Sequence, residues 1–221
     1  MIIKAVIFDI DGTLVESNDM HVLAWQEAFA SVGAKFDKAA IHEQIGKGTD
    51  MLVPTLLPEA DEKMLKKLGE VHGEIFKRKF LQAVKAFPGA HDLLARVRAA
   101  GKLAVLASSA SAGDLDHYLD LLKARDLVAA TTSADDVEHT KPAPDIFASA
   151  LAKVAPLTSD QVLVVGDTPY DVQAATRCGI AAVAVRSGNF SDEVLRHAGP
   201  LALYDDVAAL LAGFDNSPLA Q

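Results

Sequence analysis

The chain is poor in what would tie it to an oxidising compartment, a membrane or a polyanion. It has one cysteine in 221 residues, Cys178. No intrachain disulfide can form, and a reducing cytoplasmic location is expected. No apolar run approaches the roughly 18 to 20 residues needed to span a bilayer. The apolar stretch Met1–Asp11 has neither a basic flank nor a small-residue cleavage site, so a secretory leader is not expected. There is no basic block either. With 30 acidic against 21 basic residues the net charge is −9, which argues against nucleic acid or an anionic membrane as a partner. Small molecules remain as partners, and a monomer or weak homodimer is expected.

What is present is globular. Half the residues are hydrophobic and 23% are charged, too apolar for a disordered chain and too evenly charged for a membrane protein. The length suits one domain, or one domain with a sizeable insertion, able to bury roughly 70% of its unfolded surface. Short aliphatic runs recur at Ile3–Phe8, Leu103–Ala107, Leu127–Thr131, Val162–Val165 and Ile180–Val185, with a weaker sixth at Leu201–Tyr204. Such runs suit strands buried on both faces of a parallel sheet. Helical stretches separate the later ones: His91–Ala100, Asp114–Ala124, Pro144–Val154 and Asp171–Cys178. The first is closed by Gly101 and the last by Gly179, the expected stop signal. This alternation predicts a doubly wound, Rossmann-like α/β core.

One interval departs from it. Glu16 to about Lys85 contains no strand-like run, only helical patterns at Asp19–Ser31, Asp37–Gln44, Thr49–Leu57 and Glu62–Phe80. So long a helical stretch after the first strand reads as an insertion, not a crossover. The expected organisation is a discontinuous core, residues 1–15 and 86–215, and an all-helical cap, residues 16–85, hinged near Val15 and Phe87–Gly89. The tail Asp215–Gln221 is expected to fray.

The first strand ends in Phe8-Asp9-Ile10-Asp11-Gly12-Thr13-Leu14. Residues two apart on an extended chain share a side. Asp9 and Asp11 therefore face one way at the carboxyl end of a parallel strand, where open α/β sheets place ligands. Gly12 lets the chain turn away with little bulk. The second strand ends in Ser108-Ser109, whose hydroxyl and backbone N–H groups can hold a phosphoryl oxygen. Lys141 lies in Thr140-Lys141-Pro142-Ala143-Pro144-Asp145, where two prolines stiffen the backbone that aims its ammonium. The fourth strand runs into Gly166-Asp167-Thr168-Pro169-Tyr170-Asp171, which puts Asp167 at the strand end and Asp171 where it can also cap the next helix. Asp9, Asp11, Asp167 and Asp171 would gather more negative charge than Lys141 can offset. A phosphate monoester would add about −2. Hard oxygen ligands beside an anionic substrate select Mg²⁺.

In order and spacing these four motifs resemble the haloacid dehalogenase superfamily of phosphotransferases. They are Asp-x-Asp-Gly-Thr at 9–13, Ser108, Lys141-Pro142, and Gly-Asp-x-x-x-Asp at 166–171. The insertion is similar to the small helical cap of the branch that contains phosphoglycolate phosphatase and β-phosphoglucomutase. The resemblance implies that Asp9 is the nucleophile of an aspartyl-phosphate mechanism. Asp11 would protonate the leaving oxygen and then activate water, which calls for a raised pKa. Ser108 would hydrogen-bond the phosphoryl group, and Lys141 would neutralise it and orient Asp9. Asp9, the Asp11 carbonyl and Asp167 would bind Mg²⁺, with Asp171 supporting the metal or its waters.

Dehalogenases of the superfamily lack the second aspartate, so Asp11 favours phosphoryl transfer. His21 and Trp25 resemble residues of the first cap helix in β-phosphoglucomutases, where the histidine helps suppress hydrolysis. The mutase pattern also has a basic residue and an amide shortly after the second-motif serine; those positions here are Ser111 and Ala112. A phosphatase acting on a small phosphorylated metabolite of the phosphoglycolate or sugar-phosphate class is therefore expected. A phosphomutase is the alternative. A phospho-acceptor signalling module is a more distant one, since receivers are about half as long. Substrate contacts are expected from Ser108, Ser109, Lys141, His21 and Lys47, the last in the cap loop Gly46–Thr49. Lys77, Arg78 and Lys79 read as a solvated helix face, Arg186 and Asn189 as a structural loop, and His139 has no assigned role.

Overall fold

Aliphatic strands buried on both faces put the sheet at the centre of the molecule. In the computed structural model, which describes residues 2–221, β1 (Ala5–Phe8) is wholly buried and leads into the two-residue β2 (Val15–Glu16). Four helices follow: α1 (Asn18–Ala30), α2 (Lys38–His42), α3 (Thr49–Leu56) and α4 (Glu62–Lys79). The chain returns through β3 (Lys85–Ala86), α5 (Ala90–Ala99), β4 (Leu103–Ala107), α6 (Ala112–Leu121) and β5 (Val128–Thr132). It continues with α7 (Asp145–Ala152), β6 (Val162–Gly166), α8 (Pro169–Arg177) and β7 (Ala181–Val185). It ends with α9 (Asp192–Ala198), β8 (Ala202–Tyr204) and α10 (Val207–Ala212).

The six-stranded sheet has the order β5-β4-β1-β6-β7-β8, all parallel. This is the expected α/β core. Alternation along β1 feeds two separate apolar layers: Val6 and Phe8 join one, Ala5 and Ile7 the other. The chain visits β4 and β5 on one side of β1 and β6, β7 and β8 on the other. The carboxyl ends of β1 and β6 thus lie at the topological switch point, where such sheets leave a crevice.

The four inserted helices bury their own apolar cluster, which includes Trp25, Phe29, Ile41, Leu52 and Leu68. A two-residue antiparallel ribbon, Val15 opposite Ala86 and Glu16 opposite Lys85, joins the insert to the sheet domain. Strands this short carry no readable alternation, and the sequence shows only hinges there. The tail differs from expectation more clearly, since it is docked. Phe214, Ser217 and Leu219 are buried, the Ile3 N–H donates to the Gln221 carbonyl at 2.9 Å, and Lys102 Nζ donates to the same carbonyl at 2.8 Å. Two apolar side chains and a proline-started 3₁₀ turn over Pro218–Ala220 secure a segment too short to show a pattern.

Leu219→Ala should therefore cost about 2 to 4 kcal/mol, the range for emptying a buried leucine site. Urea unfolding would check it; a change below about 0.5 kcal/mol, the size of a surface substitution, would mean the tail is not held.

Candidate active site

Asp9 continues β1 by donating its N–H to the Val165 carbonyl at 2.9 Å, and the residue is only 3% exposed. Lys141, 1% exposed, reaches it from the loop before α7. The ammonium donates to Asp9 Oδ1 at 2.5 Å and to Asp171 Oδ1 at 2.7 Å. Asp171 is the third residue of α8. Its Oδ2 accepts from the N–H and hydroxyl of Thr168 at 3.0 and 2.6 Å, closing a capping box. Asp171 thus caps its helix and holds Lys141 at once. Asp167 directly follows β6, fully buried. Its Oδ1 accepts from Thr13 Oγ1 and its Oδ2 from Asn18 Nδ2, each at 2.9 Å. Two glycines make room for it: a Cβ on Gly12 or on Gly188 would overlap the Asp167 carboxylate, and Gly12 has φ +78°.

One oxygen from each of Asp9, Asp167 and Asp171 lies within 4.8 Å of the others. Burial raises the pKa of Asp9 well above the ordinary carboxylate value; Lys141 opposes this, while Asp171, Asp167 and Asp11 add to it. Burial and the Asp171 charge push Asp167 up to about 7 against the hydrogen bonds from Asn18 and Thr13. Burial pulls Lys141 down, but Asp171 and Asp9 outweigh it and hold the ammonium above the usual lysine range. The cluster is thus short of positive charge. Asn18 Oδ1 beside it is also buried and unpartnered. Crowded hard oxygen donors of this kind fit a divalent cation. Asp171 commits both oxygens to Lys141 and Thr168 and Asp167 both of its own to Thr13 and Asn18, while Asp9 Oδ2 has only a long contact from Thr13 Oγ1 at 3.5 Å and is the freest donor.

Asp11 meets partners from both the insert and the sheet domain. Its Oδ1 accepts from Ser17 Oγ at 2.6 Å and Tyr118 Oη at 2.9 Å and meets His21 Nε2 at 3.2 Å; Ser108 Oγ donates to Oδ2 at 3.2 Å. Burial would raise its pKa, but His21, Ser17 and Tyr118 bring it down to about 2. The expectation of a raised value is therefore reversed, because these partners favour the charged form. Behind His21, Nδ1 meets His72 Nε2 at 3.3 Å. Burial and the neighbouring His21 depress the pKa of His72 well below the usual histidine value.

Asp11 and His21 open onto a cavity of about 600 Å³ between insert and sheet domain, lined also by Trp25, Phe76, Ser109 and Lys47. The structure brings Asp9, Asp11, Ser108, Lys141, Asp167 and Asp171 together. Ser109 borders the cavity but points its hydroxyl at the Gly46 carbonyl, 3.4 Å away. Lys47 is in the wall, yet its ammonium donates to Gln44 Oε1 at 2.5 Å and lies over the Tyr170 ring. Lys77 is not merely solvated. It lines the cavity and sits 3.6 Å from Asp114 Oδ1, because α4 turns that edge toward α6. Arg186 pairs with Asp192 and Asp205, a structural arrangement.

Sequence reading missed Thr13, Ser17, Asn18, His72 and Tyr118. The first three lie within a few residues of Asp11 and could have been inspected for that reason. His72 and Tyr118 sit on distant helices with no local signal. It also missed a grip on the lysine loop. Asp50 accepts from the Thr140 N–H at 2.9 Å and from its hydroxyl, and the Gly48 N–H donates to Thr140 Oγ1 at 2.8 Å.

The sequence matches the family model for haloacid dehalogenase-like hydrolase over residues 6–185. The chain is 30% identical over 216 residues to the phosphoglycolate phosphatase of Rhodospirillum rubrum, spanning 94% of this chain and 89% of that protein. Among solved structures it is similar to a hydrolase from Pseudomonas syringae, with TM-score 0.90 and 31% identity over 96% of this chain and 98% of that one. The fold is also shared with a putative β-phosphoglucomutase from Bacteroides vulgatus, at TM-score 0.87 and 24% identity over 100% and 91% of the two chains.

The Asp167 pKa has a signed consequence for stability. Between the ordinary 3.8 and about 7, the metal-free folded state keeps a proton that the unfolded chain has released. Stability therefore falls as pH rises through that window. Thermal melts in chelator between about pH 4 and pH 8 should show wild type losing stability relative to Asp167→Asn as pH rises. A difference that stays flat would mean the carboxylate is ionised throughout.

Proposed function

The chain belongs to the haloacid dehalogenase-like hydrolases, and from that premise we propose that it is a Mg²⁺-dependent phosphatase. Its substrate is a small phosphorylated metabolite of the phosphoglycolate or sugar-phosphate class. The observation that carries the reading is the buried Asp9 carboxylate, held by Lys141 beside Asp167 at the carboxyl end of β1. The name of the Rhodospirillum rubrum relative supports the substrate class.

Asp9 attacks phosphorus in line and forms an aspartyl-phosphate, while the P–O bond to the leaving group breaks. Asp11 hands a proton to the departing oxygen, and His21 Nε2, 3.2 Å from it, is placed to supply that proton. In the second half, the Asp11 carboxylate takes a proton from water, which displaces Asp9 and releases phosphate. The partners that hold Asp11 ionised favour the form this second step needs. Ser108 and the neighbouring backbone N–H groups receive the phosphoryl oxygens, and Lys141 orients Asp9 and offsets their charge. Asp9 and Asp167 would hold Mg²⁺, with Asp171 behind them and the Asp11 carbonyl beside it, and its charge would offset the phosphoryl oxygens.

Residues 16–85 serve as a cap over a core of residues 1–15 and 86–215, excluding water when the cavity is filled. Among the described residues no helix is long and apolar enough to cross a membrane, and we place the enzyme in the cytoplasm. The contact of His21 with Asp11 favours one second reading, a phosphomutase, whose phosphoenzyme would pass its phosphoryl group to a bound sugar phosphate. Its mark would be activation by a sugar bisphosphate.

Phosphate release from a panel of phosphomonoesters tests the proposal. Activity should require Mg²⁺, stop with chelator and vanish in Asp9→Asn. Asp11→Asn should lose about 10²- to 10⁴-fold in kcat, the range for a positioned acid–base group. Full activity in Asp9→Asn would refute the assignment.

A further inference from the structure

Asp114 occupies the first turn of α6 at the cavity wall, 9% exposed. One oxygen is accounted for: Oδ2 accepts from Ser111 Oγ at 2.7 Å. The other, Oδ1, is buried without a hydrogen-bond partner. Lys77 Nζ, reaching across from α4, stands 3.6 Å from it, beyond hydrogen-bond range. A buried carboxylate oxygen left without a donor is costly, so a ligand that brings one is favoured.

The surroundings limit what that ligand carries. A second phosphate or a carboxylate placed here would meet Asp114 and the exposed carboxylate of Asp135, which also lines the cavity. The residues just after Ser108 that could have offset this are Ser111 and Ala112, neither of them cationic. Lys77 is the nearby cation, and Asp114 already faces it. An uncharged hydroxyl suits both groups, since it donates to a carboxylate and accepts from an ammonium. Lys77 is half exposed on a flexible stem and can draw back to admit it.

We propose that Asp114 selects the leaving group, favouring phosphomonoesters whose alcohol carries further uncharged hydroxyls over those bearing a carboxylate or a second phosphate. One such hydroxyl donates to Asp114 Oδ1 and accepts from Lys77. This rests on the phosphatase reading and narrows its substrate class.

The test compares kcat/KM with Mg²⁺ for four probes: glucose 6-phosphate, phosphoglycolate, glucose 1,6-bisphosphate and p-nitrophenyl phosphate. Wild type should favour glucose 6-phosphate over phosphoglycolate by about tenfold or more, the scale on which a site built for a hydroxyl discriminates. In Asp114→Asn, which keeps the shape, the ratio of glucose 6-phosphate to p-nitrophenyl phosphate should fall by about tenfold. Asp114→Lys should turn the preference toward phosphoglycolate. A wild-type preference for phosphoglycolate or the bisphosphate, or an Asp114→Asn ratio equal to wild type, would overturn the assignment. Turnover of none of the four, p-nitrophenyl phosphate included, would instead bring down the phosphatase reading and this inference with it.

Discussion

The site depends on a buried ammonium. Lys141 lies between Asp9 and Asp171, and each member of the trio comes from a different part of the chain: the end of β1, the loop before α7 and the first turn of α8. Removing one partner from a buried pair of this kind generally costs about 3 to 5 kcal/mol, because the survivor is left charged and dry. The lysine therefore holds the loop to the sheet, and in doing so it points the Asp9 carboxylate. Stability and alignment are one interaction here. Asp171 makes this economical, since the carboxylate that steadies the lysine also accepts from the N–H of Thr168, the residue that caps its helix.

Two carboxylates one residue apart end up in opposite electrostatic states. Asp9 sits among other carboxylates, and its pKa is raised. Asp11 sits among donors, Ser17, Tyr118 and His21, and its pKa is lowered. The difference comes from which groups each side chain meets. Asp9 meets groups of the sheet domain alone, whereas Asp11 meets Tyr118 and Ser108 of the sheet domain and also Ser17 and His21 of the insert, and it borders the cavity.

Much of this was legible in the sequence. The aliphatic runs announced the parallel sheet because strands buried on both faces need no alternation, and they fell within one or two residues of the observed boundaries. Three of the four polar motifs were visible because each directly follows such a run, where a sheet delivers its ligands, and Lys141 because of the prolines around it. What stayed hidden is what depends on packing between distant helices. His72 and Tyr118 sit in ordinary amphipathic patterns, and only the packing of α4 on α1 and the placement of α6 beside the end of β1 bring them to His21 and Asp11. Lys77 resembled its neighbours Arg78 and Lys79; the rotation of α4, which sequence does not state, puts it in the cavity. The ionisation of Asp11 was misread for the same reason, since its partners include Tyr118 on the far helix.

The loop of the insert that borders the cavity also grips Thr140, the residue before Lys141. A single segment therefore shapes the space for the leaving group and braces the backbone of the buried lysine. Exchanging that loop wholesale to alter substrate preference would disturb both at once, so diversification here is constrained at Gly48 and Asp50. Lys47, turned aside onto Tyr170, lies outside that constraint. The freedom to vary is accordingly uneven along residues 46–50, least at Gly48 and Asp50, which hold the loop of the buried lysine.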